Sequence, residues 1–370
     1  MATYRHINFA KVILLGTFLM FSQFSFAQLN AGAEQHFQSS DSLVITKQSV
    51  TAAELPRIDD NLGPMLKTIK GRKSLMSYLK QMNTVEGVRY NQSRARFYYR
   101  LATTFARLRM YPLAMKCFLK TMQISSAKHG RNERMKAEPD SVQLDTSVLA
   151  FNGRDDSVVN SRPNVFENGV GDSISKPIAT NRIVETFKDG KKAAGYAILV
   201  HVKQPVPGKP KIFSGTNVGH TFITLIKYNT DSSYVSLSFG FYPRKQNLFS
   251  ATPIEPSTPS VFKNDSEHQW DEVLGKFISK RRFEKILALS SKYSAMQYHL
   301  SKNNCTDFGI SAAKIAGIEI LETSGSWPLG SGNNPAVAGQ SILQGKYKDD
   351  DKDALNGIFV ESTIETSPNP

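Results

Sequence analysis

Apolar positions recur at two different spacings along this chain, and the switch between them divides it. From about Asn61 to Ser125 they fall three and four apart, the helical spacing, most clearly in RARFYYRLATTFARLRMYPLAMKCFLKTM. From 126 to 180, Ser, Asp, Asn, Gly and Arg appear without a sustained period, which predicts an unstructured linker. Order returns near Ala193. Tyr196–Val202 (YAILVHV) is a continuous apolar run, the mark of a buried strand. His220–Tyr228 and Tyr234–Tyr242 read as two further strands, joined through Asn229-Thr230-Asp231-Ser232 as a hairpin. Phe283–Tyr293 is helical again, and a second helix is predicted from Asn304 to Ala316, stopped by Gly317. The segment 193–340 therefore predicts an α+β fold.

Within the helical stretch, Tyr98, Leu101, Ala102 and Phe105 are followed by Ala114 and Phe118. The spacing is similar to that of a tetratricopeptide repeat, a helical hairpin in which a small residue lets the second helix approach and aromatic residues fill the seam. Tyr111-Pro112 marks the turn, with the proline near the start of the second helix. Only one unit is clear, whereas such hairpins bury their faces by stacking about three. Leu62–Met82 offers a degenerate partner, and a plain two- or three-helix bundle fits the same pattern. Cys117, beside Phe118 inside this helix, reads as a small buried hydrophobe.

The ends of the chain set its expected location. Arg5, His6 and Lys11 precede the apolar run Val12–Phe21, which is too short for a membrane span. Ser25-Phe26-Ala27 then supplies a small-x-small ending. Residues 1–27 read as a signal peptide cleaved after Ala27, which places the mature protein in the periplasm or outside the cell. The expected organisation continues with a flexible segment 28–55, a basic helical region 56–128, the linker 129–180, an α+β domain 181–345 and a polar tail 346–370.

Charge is distributed unevenly. The formal net charge is +14, and the stretch from Arg57 to Lys136 alone holds 18 basic against 4 acidic residues. Such a block is ordinarily a solvated face, and it also suits peripheral contact with an anionic polymer or lipid surface. No nucleic-acid motif accompanies it, so nucleic acid is not an expected partner. Two cysteines exclude a disulfide framework. One Cys117–Cys305 bond remains open in an oxidising compartment, although the two lie in segments that read as separate domains.

Two short segments can carry chemistry. Gly219-His220-Thr221-Phe222 opens a predicted strand, and Asn303-Asn304-Cys305-Thr306-Asp307-Phe308 opens a predicted helix. A cysteine in a first helical turn meets free backbone N–H groups and the positive end of the dipole, both of which favour thiolate. A histidine on a neighbouring strand can take and return a proton. The Cys305 N–H can also hold an oxyanion. His201 and His299 are the competing bases, and Asp307 reads as a stabiliser of the first turn. The loop Trp327–Pro335 reads as a structural loop that can also line a cleft.

At these residues the chain resembles the permuted branch of the NlpC/P60 papain-like superfamily, related to the lecithin–retinol acyltransferase-like proteins. In that branch the histidine strand precedes the cysteine helix, as His220 precedes Cys305 here. The resemblance covers roughly residues 193–340. It implies Cys305 as nucleophile and His220 as base. It also implies a polar residue on the next strand to orient the imidazole, for which Tyr234–Tyr242 offers only Ser236 and Ser238. Strand alternation puts His220, Phe222 and Thr224 on one face, over which the cysteine helix is expected to pack. Asn304 is a further cleft candidate.

No cofactor or metal is called for. The acidic run Asp349–Asp353 has Ala354 where a calcium loop needs glycine and Val360 where it needs glutamate, so it reads as a solvated tail. No zinc-ligand spacing occurs. Two functions from different classes follow. One is an exported cysteine hydrolase or acyltransferase of the cell envelope, acting on a peptide, amide or ester bond in a wall peptide or an acyl lipid. The other is a non-catalytic envelope protein whose helical region binds a protein partner and whose papain-like domain is a scaffold.

Overall fold

The computed structural model describes residues 62–83, 91–126, 142, 144–147, 149–161, 174–214, 217–247, 249–328, 330–351 and 357–364. The signal-peptide and flexible-terminus expectations, and part of the linker, lie outside these residues. Helices α1 (Leu62–Lys67), α2 (Ile69–Asn83), α3 (Gln92–Arg107), α4 (Tyr111–Ser126) and α5 (Gly153–Asn160) come first, then strand β1 (Lys176–Ile178) and helix α6 (Thr180–Thr186). Strands β2 (Ala193–Lys203), β3 (His220–Asn229), β4 (Tyr234–Pro243), β5 (Ser257–Thr258), β6 (Ser260–Asn264) and β7 (Glu272–Ile278) lead to α7 (Lys280–Ser294). After β8 (Tyr298–His299) come α8 (Cys305–Ile315), β9 (Ile318–Ile320), β10 (Ser324–Trp327), β11 (Gly330–Asn333), α9 (Pro335–Leu343), β12 (Tyr347–Asp349) and β13 (Phe359–Ser362).

Seven strands form one antiparallel sheet in the order β1-β6-β4-β3-β2-β7-β13. Strand β2 lies between β3 and β7, with helices on both sides, so YAILVHV has no polar face. Alternation sorts the side chains. Ala197, Leu199, Phe222, Ile226, Val273 and Phe277 share a core with Leu101, Phe105, Met115 and Phe118 of α3 and α4. Their neighbours Ile198, Val200, Ile223, Leu225, Phe241 and Leu274 share the opposite core with Phe283, Ile286, Phe308 and Ala312 of α7 and α8. The helices thus sandwich the sheet, and each fully buried aromatic or aliphatic side chain contributes about 1.5–3 kcal/mol.

This arrangement overturns the expected division into separate helical and α+β domains. The α3–α4 pair lays its apolar seam on the sheet. The Tyr228 hydroxyl donates to the Pro112 carbonyl at 2.7 Å, and Arg107 pairs with Glu361 on the edge strand β13. Three further expectations are corrected. The linker 129–180 contains α5, held by an Asn152–Asp155 capping box and by a buried Lys116–Asp155 ion pair at 2.9 Å, and it also contains β1. The polar tail supplies β12 and β13. The acidic run, read as solvated, turns Asp349 and Asp351 onto the buried Lys276 of β7. Among the described residues no helix is long and apolar enough to cross a membrane.

Candidate active site

Helix α8 begins at a built N-terminus. The Asn304 side chain accepts from the N–H groups of Thr306 (2.8 Å) and Asp307 (3.0 Å), and Asp307 accepts from the Asn304 N–H at 2.9 Å. This reciprocal cap fixes Cys305 as the first helical residue, with its own N–H outside the cap bonds. Asn304 also donates to the carbonyls of Leu300 and Asn333, tying the helix start to the loops around the cleft.

The histidine comes from the sheet. Gly219 turns the chain into β3 at φ +72°, where a Cβ would lie 2.4 Å from the Lys203 carbonyl, so the residue before His220 must be glycine. Strand β4 passes beside the imidazole at Gly240. A Cβ there would sit 2.4 Å from both His220 Nε2 and Asp265 Oδ2, and only glycine leaves room for those two groups to meet. They do so at 3.2 Å. Asp265 directly follows β6. Its other oxygen accepts from the hydroxyls of Ser175 (2.5 Å) and Tyr242 (2.7 Å). Those donors and His220 hold its carboxyl below the usual range against the opposing effect of burial.

An ionised Asp265 only accepts, so Nε2 carries the proton of that bond and Nδ1 is left for the thiol. Burial alone would lower the His220 pKa. The hydrogen bond and charge of Asp265, with those of Cys305, raise it instead to about 9. Burial likewise raises the Cys305 thiol, but His220, the Thr221 N–H and the Thr306 hydroxyl outweigh it and hold the thiol below 9.0. Both shifts favour a thiolate–imidazolium pair at neutral pH. The Tyr298 hydroxyl lies against Cys305 and accepts from its backbone N–H.

Cys305 opens onto a cleft walled by Ile212, Phe213, Val218, Leu300, Trp327 and Pro335. Tyr298, Asn304, Asn333 and Asn334 complete the wall, and among the described residues Cys305 and Tyr298 are the ionisable side chains that line it. The segment read as a loop is instead the end of the β10–β11 hairpin and the start of α9, and from it Trp327, Asn333, Asn334 and Pro335 line the cleft beside Asn304.

The other expected residues fall elsewhere. Ser236 is exposed at the far part of β4 and touches nothing in the site. Ser238 acts only at a distance: its hydroxyl bonds Thr224 at 2.7 Å and its carbonyl accepts the Asp265 N–H at 2.9 Å. His201 is buried against Phe222 and bonds Thr224, and His299 accepts from the Ser301 N–H, so each is held by a structural partner of its own. The cysteine helix packs on the face opposite the one expected. Thr221 meets Thr306 (3.2 Å) and Gly309, so α8 lies over the Thr221–Ile223 side and reaches His220 at the end of the strand. Both cysteines are free, and Cys117 is sealed in the α3–α4 core.

Sequence reasoning missed Asp265, Gly240 and Tyr298. The strand after the histidine offers only serines, while the carboxylate arrives at the end of β6, the neighbour of β4 in the sheet. A signal was present in VFKND, a short strand pattern ending on an acid. Comparison with family models, with characterised proteins and with solved structures finds no match for this chain.

Proposed function

We propose that this protein is a cysteine hydrolase or acyltransferase of the cell envelope, built as a permuted papain-like domain. The observation that carries the reading is the line Asp265–His220–Cys305 at the start of a capped helix. The thiolate attacks an acyl carbonyl, forming the S–C bond. The developing oxyanion takes hydrogen bonds from the Cys305 N–H and the Tyr298 hydroxyl, once the carbonyl oxygen displaces Tyr298 from that N–H. The His220 imidazolium gives its proton to the leaving nitrogen or oxygen as the C–N or C–O bond breaks. Water or an acceptor hydroxyl or amine then attacks the thioester, losing its proton to His220 and restoring the thiolate. Asp265 keeps Nδ1 aimed at sulfur throughout.

The apolar cleft favours a neutral acyl group beside the thiol over a charged peptide stem. The helical pair α3–α4 reads as a single tetratricopeptide-like hairpin whose stacking partner is the sheet instead of another repeat. That leaves its apolar seam covered, which weighs against the partner-binding scaffold, as does the presence of an orienting carboxylate.

The test is acyl-enzyme trapping. An activated acyl ester is expected to leave one acyl group on Cys305, read by intact mass and peptide mapping, and Cys305→Ala is expected to leave none. A reduced, alkylatable Cys305 that never acquires an acyl group from short- or long-chain esters or thioesters would favour the scaffold reading.

A further inference from the structure

The turn between α3 and α4 is far from the thiol in sequence, yet it touches the segment that carries Asp265. Leu108, Arg109 and Met110 make this turn. Arg109 sits in the left-handed region at φ 56°, closing α3 with N–H bonds from Arg109 to Ala106 and from Met110 to Phe105. Glycine suits that position best, because a Cβ is crowded there. An arginine in its place has another use. Its side chain is only 4% exposed, and its guanidinium meets Glu267 Oε2 at 3.3 Å.

Glu267 lies two residues after Asp265, in the loop 265–271. The loop is pinned at both ends. Asp265 donates its N–H to Ser238, Asp271 donates its N–H to Val202, and the His268 N–H closes a turn on the Asp265 carbonyl at 3.0 Å. Arg109 grips the loop between those ends. The next residue on the helical side but one, Tyr111, begins a ring stack beneath the same loop. Tyr111 lies 4.7 Å from His201, His201 lies 4.5 Å from Phe222 at 12°, and Phe222 lies 5.8 Å from His220 at 11°. His268 of the loop packs on both His220 (5.1 Å) and Phe222 (5.5 Å). The imidazole and its carboxylate are thus backed by one continuous layer that ends on the α3–α4 turn.

We propose that Arg109 is a positioning residue for the Asp265–His220 pair, acting through Glu267, so that the helical hairpin braces the reactive site across the sheet. The inference rests on the thiol–imidazole reading of that site. Without the Arg109–Glu267 bond the loop gains freedom about its two pinned ends. The Asp265 carboxylate then spends less time on Nε2, and the imidazole is less well aimed at sulfur.

The experiment is the pH profile of Cys305 alkylation by iodoacetamide in the full chain, read by peptide mass. In the parent protein Cys305 is expected to react with an inflection below that of an ordinary thiol. A parent profile like that of an ordinary thiol would sink the reading of the site itself, separately from this inference. Arg109→Ala is expected to slow the reaction at pH 7 by roughly tenfold and to move the inflection upward. Glu267→Gln is expected to do the same, and the double variant to add little to either. Arg109→Lys is expected to recover part of the rate. Met122→Ala, which loosens α4 at its other end, is the control. It is expected to lower thermal stability and to leave the profile in place. A parent profile with a low inflection that Arg109→Ala and Glu267→Gln leave unmoved, in folded variants, would overturn the proposal. So would a Met122→Ala variant that shifts the profile as far as Arg109→Ala does.

Discussion

Each face of the sheet buries one cysteine, and the two faces treat the same side chain in opposite ways. Cys117 sits among Phe118, Leu101 and Tyr98, where burial and the charge of Asp155 push its thiol well above the ordinary value. Cys305 is nearly as buried, at 6% exposure, yet its thiol is pushed down. The difference lies in the donors. Cys117 occupies a helix interior, where every nearby backbone N–H is already committed to the helix. Cys305 occupies the first position, where the imidazolium of His220, the Thr221 N–H and the Thr306 hydroxyl reach the sulfur. Burial without donors makes a cysteine inert, and burial with donors makes it a nucleophile.

The largest expected effect concerns the two faces together. A fragment of residues 181–345 exposes Phe222, Ile226, Tyr228 and Phe277 and loses the edge strand β13. It is expected to show no cooperative unfolding transition, whereas the full chain is expected to show one. A fragment that unfolds cooperatively with the same midpoint would restore the picture of independent domains.

How much of this was legible from sequence differs between the faces. The reactive face was partly readable, because a capped helix start and a Gly-His strand opening are local patterns. Asn304 and Cys305 open a helix and His220 opens a strand, the element positions those patterns predict. The inert face misled. The helical seam of Tyr98, Leu101 and Phe105 looks the same whether it packs on another helix or on a sheet, so its partner was invisible. Strand β7 escaped notice because Glu272 and Lys276 interrupt its apolar run, and charges argue against a central strand. Lys276 is tolerated there only because Asp349 and Asp351 fold back onto it from the supposed tail. Long-range pairing of this kind leaves no local trace. The same holds for Asp265, which reaches His220 only through the register of three strands.

The next effect in size separates the faces chemically. His220→Ala is expected to lower any acyl-transfer rate by roughly 10²–10⁴-fold and to raise the Cys305 thiol. Thermal stability is expected to fall as well, because the buried Asp265 loses its partner, while Cys117 stays unreactive in the folded chain. A variant whose rate is within about twofold of the parent would remove His220 from the site.

The smallest effect tests the packing behind the reactive face. Glu272 is fully buried under α9, close to Gly339, and neither of its oxygens has a hydrogen-bond partner among the described residues. Burial first, and the neighbouring Asp271 second, raise its carboxyl from 4.5 to about 8. The folded chain therefore keeps a proton that the unfolded chain releases above 4.5. This group favours folding most at low pH, and its contribution declines as pH rises until the carboxyl ionises at about 8. Glu272→Gln removes that penalty. It is expected to raise stability at pH 9 by about 1–3 kcal/mol and to change little at pH 5. Equal effects at both pH values, read from denaturant unfolding, would mean that Glu272 has a partner in solution.

The central claim is that the start of α8 activates a thiol that an ordinary core would silence. Its most direct test is competitive alkylation of the native, reduced protein across pH 5–10, with Cys305 and Cys117 followed as separate peptides. The expected result is a Cys305 that reacts at neutral pH with an inflection below 9, beside a Cys117 that labels only when the chain unfolds. Asp265→Asn is expected to shift the Cys305 curve upward and to leave Cys117 as it was. Equal labelling of the two in the folded chain, or a Cys305 inflection at or above 9, would contradict the account.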